Sequence, residues 1–565
     1  FFDSASITNV LIGGVAASEG NEISGGNDAI DLRAVNNIRI RGNTIARAPA
    51  RGIWMAGASN VTIGGTASGE GNSIGGNGAD GIFTGFDSSA ITILGNLIQP
   101  ITIAGATAAA NASHGIWIER TNTVNIGDGT AAGRNVIGGN RGRGIQGSVA
   151  NSNVTINGNY IGTDASGNVA VLGGQGLGAS RRDAISFDDS GTYTNLVILN
   201  NVIGGYEAAL VETWNSTVNG LTIQGNSIGV GANGTAQIVS ANTEDLIYIG
   251  GGGTYSNVLI GGSTAGQGNT VAFSSRSGVR LESTGANIQV IGNTIRNNTR
   301  NGIIVVGNTR AALVSNRIYA NGQIGIDLSE NGVTANDSGD GDSGPNDLLN
   351  FPQAIRANVA GPNQLRYNVT LDAPAAANGY RIEFFANSAA DPTGFGEGER
   401  YLGHVDVSHA GGTQTYAGTL TTLQPVAVGD IISATTTRRT AGGAWDMTSE
   451  FSAVVTADGV AQLGVQITSQ VFDPPAANPF ATPGNDMLLT ATVTNAGNGS
   501  TDADSIFVVL SIDPANAFHN AATPALGGVV GFSSGSAGLT FNAANDLRFS
   551  NSVAAPSSLA QCTYT

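Results

Sequence analysis

Acidic and basic side chains crowd together at one place in the chain, where Arg181, Arg182 and Asp183 are followed by Asp188 and Asp189, with Tyr193 close behind. Carboxylates beside guanidinium groups are the material of general acid–base catalysis. They are equally the material of a surface loop stitched by ion pairs. Arg itself makes a poor base, because its pKa lies far above neutrality. The cluster therefore offers five candidates and by itself names no catalytic residue.

Two further groups carry chemistry. The segment from Asn336 to Asp347 is dense in Gly and carboxylates, and Asp337, Asp340, Asp342 and Asp347 are the oxygen ligands that Ca²⁺ would take in a flexible loop. Their spacing departs from the EF-hand loop, so a solvated acidic linker stands beside the calcium reading. Trp54, Phe83 and Trp117 each follow a Gly-Ile pair, and three aromatics at one repeating position suit either sugar rings or an assembly face. His114, just ahead of Gly115-Ile116-Trp117, reads as a turn residue.

What must position these groups is a short recurring phrase, Asn followed two places later by Ile or Val. It appears at Asn21, Asn43, Asn72, Asn96, Asn135, Asn159, Asn201, Asn226, Asn269, Asn293 and Asn316. Intervals of about 22 to 25 residues, longer where loops intervene, mark a stacked solenoid. Between the Asn phrases lie a Gly-Ile piece such as Gly52-Ile53-Trp54-Met55 and a Val-x-Ile piece such as Val61-Thr62-Ile63, both short and bounded by Gly, Asn or Ser. Each is too short for a helix and alternates like a strand.

Three strands per turn make a parallel β-helix. Ile23, Ile45, Ile74, Ile98, Ile137, Ile161, Ile203 and Ile228 form one internal stack, and the Asn residues stack at a corner with amide-to-amide hydrogen bonds. Eleven or so coils at roughly 4.8 Å each give a rod of roughly 50 Å. The residues after Val in the second piece, Thr62, Thr92, Thr155 and Thr222, are interrupted by Arg39, Asn125, Val197, Leu259 and Gln289. That broken array argues against a flat ice-binding face.

The coil resembles the right-handed parallel β-helix repeat proteins of the pectate-lyase-like superfamily. The phrase Asn159-Tyr160-Ile161-Gly162-Thr163-Asp164-Ala165-Ser166-Gly167 is similar to repeats of large secreted bacterial surface proteins. That superfamily holds lyases, hydrolases, epimerases, adhesins and fibre proteins, so the resemblance implies a fold and leaves activity open. In its lyases a basic residue or Tyr takes a proton beside a uronate carboxylate, neutralised by Ca²⁺ or Arg. In its hydrolases grouped Asp residues supply acid and base. The hydrolase pattern of paired Asp with a following Gly-His-Gly is missing here.

From about Phe351 the Asn period stops and longer alternating runs appear, including Tyr380 to Phe385 and Asp430 to Ala434. The expected fold is all-β, a right-handed parallel β-helix over 1–350 followed by two β-sandwich domains, 351–458 and 459–565, the last incomplete.

The formal net charge is -17, only 12% of residues are charged, and all 24 basic residues are Arg. Nucleic acid and anionic membrane surfaces are disfavoured, and Lys chemistry is absent altogether. Cys562 stands alone, without a disulfide partner or a zinc-ligand cluster. No apolar run is long enough for a transmembrane helix. Taken together, the expectation is a secreted or bacterial cell-surface protein, structural or adhesive rather than catalytic, whose partners are copies of itself or other surface proteins and whose ends are open for assembly. A secreted polysaccharide lyase or hydrolase is the alternative, with carbohydrate binding without turnover as a third.

Overall fold

The computed structural model describes residues 2–460 apart from 17–18, 103–108, 174–181, 189 and 240–241; beyond 460 it describes the strands 463–471, 487–495, 506–510, 531–532, 537–541, 547–551 and 557–564. By its contacts the chain divides into two units. The first comprises Phe1–Ile355, Asn368–Tyr416 and Ile431–Val455, and the second Arg356–Tyr367, Ala417–Asp430 and Thr456–Thr565.

The first unit is built on a right-handed parallel β-helix. Each coil contributes a first strand, such as Ile53–Ala56 or Ile82–Gly85, and a second, such as Ser59–Gly64 or Ser89–Leu94. All of these lie in one 21-stranded parallel sheet bent at the corner between them. A third strand, as short as Thr44–Ile45 and Ser73–Ile74, stacks in an 11-stranded ladder. The predicted Ile column is in register from Ile23 to Ile228, and from Ile45 onward its members are fully buried.

The corner Asn column is a continuous hydrogen-bonded ladder. Each Nδ2 donates to the Oδ1 of the next rung, at 2.9 Å for Asn72 to Asn96 and 3.0 Å for Asn96 to Asn135. Gly precedes most of these Asn, with Arg134, Asn200 and Ser315 the exceptions, and at Gly71 it is there for room: a Cβ would sit 2.0 Å from the Gly95 carbonyl oxygen. Asn96 also accepts the Asn72 backbone N–H and donates to the carbonyls of Ile63 and Leu94. Asn96→Ala is expected to cost about 3 kcal/mol, because it strands buried donors that no water can reach. Chemical denaturation followed by circular dichroism measures this, and a loss no larger than a surface substitution would refute the ladder's role. A second internal ladder, Asn77 to Asn111 to Asn140, runs beside the first with amide bonds of 2.9 and 2.8 Å, and the sequence period did not announce it.

The last coil is closed by residues that follow it, which corrects the expectation of an open edge at that end. Glu383 accepts from the Ser315 N–H at 2.9 Å, Glu397 from Ala320 and Asn321 at 2.7 and 3.1 Å, and Glu450 from Leu328 at 2.8 Å. Asn346 and Thr448 take the N–H groups of Ala311 and Leu313. Phe385 and Phe451 extend the coil's apolar core. Unpaired strand donors are thus met by side-chain acceptors. Glu383, Phe385 and Thr448 belong to an antiparallel sheet in the order Arg400–His409, Ala376–Asn387, Ile431–Arg439, Trp445–Thr448, and Glu397, Glu450 and Phe451 to segments beside its strands.

In the second unit, Leu463–Val471, Met487–Asn495, Ser557–Tyr564 and Gly531–Phe532 form one antiparallel sheet, and Ile506–Leu510, Leu547–Asn551 and Ala537–Phe541 another. The whole is all-β, its C-terminal antiparallel sheets of the sandwich kind. Among the described residues no helix is long and apolar enough to cross a membrane.

Candidate active site

Because strands alternate, the residue after the leading Ile or Val of each first strand faces out from the sheet, and the register lines these residues up coil by coil. The column runs Asp31, Trp54, Phe83, Trp117, Gln146, Ser186, Glu212, Tyr248, Arg280. Aromatics lead into a polar centre, and Tyr248 follows with Trp214 against it at 5.4 Å between ring centroids. Three of the chain's four Trp therefore stand on this face, on both sides of the polar centre.

That centre gathers around Arg143. Its Nε donates to Asp183 at 3.0 Å, its Nη2 to Asp188 at 2.7 Å, and its Nη1 to Gln146. Gln146 donates in turn to Asp188 at 2.7 Å, and Ser186 donates to Glu212 at 3.1 Å. Asp183 is also hydrogen-bonded to Glu212. Burial pushes Asp183 above the usual carboxylate range, opposed by the Arg143 charge. Burial alone would weaken the Arg143 guanidinium, but Asp183 and Asp188 outweigh it and keep it charged. All three carboxylates are almost wholly buried.

Of the five acid–base candidates, Asp183 and Asp188 converge here. Arg182 does not: it pairs with Glu207. Arg181 and Asp189 lie outside the described residues. Tyr193 is buried, its hydroxyl turned to the backbone carbonyls of Gly147 and Asp188. His114 is not the exposed turn residue expected. Its Nδ1 accepts the Arg143 N–H at 3.0 Å, and burial lowers its pKa to about 4, leaving it neutral.

Arg143 and Glu212 were missed by sequence reasoning. Arg143 precedes Gly144-Ile145, the position that Arg51, Asp80 and His114 hold in their own coils, so the repeat did contain the signal.

The aromatic column is less open than its spacing suggests. Trp54 and Phe83 are stacked at 6.4 Å, while Trp117 meets Phe83 edge-on at 5.3 Å. Arg33 lies over Trp54 and Arg51 over Phe83, and Phe83 is buried. Trp54 and Trp117 keep partial exposure, Trp117 with its indole N–H bonded to Ser148 at 2.8 Å.

At the acidic segment, Asp337, Asp340 and Asp342 bring ligand atoms within 4.8 Å of one another. Asp347 does not join them, since Arg310 engages it at 2.6 and 2.9 Å. Three clustered carboxylates are also what a solvated acidic turn presents, and calcium is carried no further.

Residues 4–128 and 238–339 match the family model described as "Right handed beta helix region". No curated protein matches the chain. Two solved structures resemble it. One is tailspike protein 2 of Escherichia coli O157:H7 bacteriophage CAB120, 11% identical, covering 75% of this chain and 64% of that one with a TM-score of 0.19. The other is tailspike gp49 of Acinetobacter baumannii bacteriophage Fri1, titled a capsular polysaccharide depolymerase, 9% identical, covering 79% and 80% with a TM-score of 0.22. The chain spans 64% of the length of the first tailspike. Overlaps of this size bear no residue-level argument. The expectation of a non-catalytic structural or adhesive protein is not what these findings favour: both structures are tailspikes, and one is titled a capsular polysaccharide depolymerase. The chain carries a right-handed β-helix region.

Proposed function

We propose that the chain is an extracellular polysaccharide hydrolase whose cleft is the first-strand face of the rod. One observation carries this: a single outward column passes from aromatics through a buried Asp183, Asp188 and Glu212 cluster to a second aromatic pair. Sugar rings present apolar C–H faces to aromatics, while glycosidic cleavage needs one carboxylic acid and one carboxylate.

The Asp183 and Glu212 pair supplies the proton. Glu212, which stands in the outward column, donates it to the glycosidic oxygen as the C–O bond breaks. Asp188 takes the proton of the incoming water, whose oxygen bonds to the anomeric carbon. Arg143 holds Asp183 and Asp188 in place. Elimination fits less well, since a lyase needs a free cation to neutralise a uronate and Arg143 is committed to two carboxylates and an amide.

The test is incubation of the purified chain with a panel of neutral and uronate-containing polysaccharides, following reducing ends and unsaturated products separately. Reducing ends without unsaturation are expected, with Trp117→Ala raising KM more than it lowers kcat. Unsaturated products would replace hydrolysis with elimination, and no cleavage of any polymer would sink the proposal.

A further inference from the structure

The fourth Trp, Trp445, stands away from the first-strand face and lines a pocket of about 660 Å³ within the same unit. The pocket lies where the second strands of the late coils end. Ser263 and Thr264 line it from the turn that follows the strand Thr254–Gly261, and Ile291 and Val314, the last residues of the next two second strands, give it an apolar patch. Arg381, Tyr401 and Trp445 line it from the antiparallel sheet. The volume is that of a small-molecule site, large enough for one or two sugar rings.

The side supplied by the sheet is rigid and positively charged. Its register sets Arg381 opposite Asp406 and Arg439 opposite Trp445. Asp406 takes the Arg381 Nε and Nη2 donors at 2.9 and 3.2 Å, while the guanidinium lies 4.3 Å from the Trp445 ring centroid. A guanidinium held along one edge by a carboxylate and across its face by an indole keeps its other edge for a second acceptor. Among the described residues Arg381 Nη1 has no such acceptor, and neither has the Trp445 indole N–H. Arg439 lies over the same ring at 4.6 Å, and its charge and that of Arg381 both bear on Asp406.

Among the described residues no acid lines this pocket, in a chain whose net charge is -17. The turn at its rim shows the same bias. Ahead of Asn21 and Asn72 the acceptor that closes this turn is a carboxylate: Glu19 takes the Val15 and Ala16 N–H groups, and Glu70 takes that of Ala67. Ahead of Asn269 the acceptor is Gln267, which takes the Thr264 N–H at 3.1 Å and closes the turn without a charge. Hydroxyls at Ser263 and Thr264, an apolar patch and an uncommitted guanidinium edge are complementary to a sugar that carries a carboxylate.

We propose that this pocket is a second carbohydrate site, which holds one carboxylate-bearing sugar unit without cleaving it, the carboxylate on Arg381 Nη1 and the ring hydroxyls toward Ser263 and Thr264. It goes beyond the hydrolase reading and does not depend on it. A guanidinium already fixed by Asp406 and Trp445 loses little freedom on binding, which favours affinity.

The test is isothermal titration calorimetry on the full chain carrying Glu212→Gln, so that turnover is silenced, with galacturonate and glucuronate disaccharides as probes and their methyl esters as neutral controls. Saturable binding of at least one acid is expected, weaker at high salt than at low, and about tenfold weaker or more for its ester. Gln267→Glu restores the residue that two other coils carry in this turn, so it should leave the melting temperature unchanged yet weaken binding about fivefold or more through the added charge. Arg381→Gln should abolish binding, and Trp117→Ala, on the first-strand face, should change it by less than about twofold. Absence of saturable binding for both acids, equal binding of acid and ester, binding that survives both Gln267→Glu and Arg381→Gln, or binding lost instead in Trp117→Ala would each overturn the proposal. Binding at the pocket by a chain whose unmutated form cleaves no polymer would leave it standing and remove the hydrolase reading.

Discussion

Glu212→Gln is expected to lower polysaccharide cleavage by about 10³-fold, measured as reducing ends released per enzyme. The substitution keeps the size of the side chain and can still accept from Ser186, so the unfolding midpoint should hardly move. What it removes is the carboxyl proposed to give its proton to the glycosidic oxygen. Asp188→Asn should give a loss of the same order by a different route, since the amide cannot take a proton from water. A carboxylate pair acting as one unit also predicts that the double variant is scarcely worse than either single one. If Glu212→Gln retains activity within tenfold while Asp188→Asn does not, Glu212 is not the acid and the mechanism must be redrawn around Asp183. Arg143→Lys tests positioning: it keeps the charge but not the fork that holds two carboxylates and Gln146, so kcat should fall with KM little changed and the pH profile should shift.

The second large effect is on stability, and its sign runs against the usual pattern for acidic proteins. Burial pushes Glu450 up to about 7 and Asp340 up to about 6, the latter helped by the charges of Asp342 and Asp337. Glu383, Glu397, Asp183, Asp245 and Asp327 are also raised, in each case chiefly by burial. A carboxyl whose folded pKa exceeds its unfolded value binds its proton more tightly in the folded state. Its contribution is fully present below the unfolded pKa, near 4.5 for Glu450, and is lost as pH rises through about 7. For Glu450 alone the difference is about 3 kcal/mol. The net charge of -17 adds self-repulsion that mild acid relieves. The thermal midpoint should therefore rise from pH 8 to pH 5, and Glu450→Gln should flatten that slope, since the amide keeps an acceptor for the Leu328 N–H without titrating. Asp327 is the charged neighbour that opposes ionisation of Glu450, and Asp327→Asn should flatten the slope in the same direction. A midpoint that falls between pH 8 and pH 5 would contradict both the burial of these carboxyls and their role in closing the last coil.

How much was legible beforehand differs sharply between the rod and its face. Asn21 to Asn316 and their Ile partners announced the coil because a solenoid repeats its constraint at fixed intervals. Each rung must satisfy the same amide bonds and fill the same slot, so periodicity alone places the residues. The column after Gly-Ile was legible for the same reason, and Trp54, Phe83 and Trp117 stand where the repeat put them. The acidic centre was only half legible. Asp183 and Asp188 drew attention because they are adjacent in sequence, but so did Arg182, which turns to Glu207, and Tyr193, which turns into the core. Arg143 and Glu212, 69 residues apart in number, meet at the same cluster because stacking replaces sequence distance with coil distance.

The sequence by itself determined the architecture: a hydrogen-bonded Asn ladder and an Ile core admit one winding, and local turn chemistry specifies it. Tertiary structure alone decided which charges came together and how the last coil is closed. Those depend on pairing between coils separated by loops of unequal length, and on acceptors such as Glu383 and Glu450 that arrive from segments far along the chain. Short-range periodicity carries no information about either, because the free energy of such contacts is collected only once the coils are stacked.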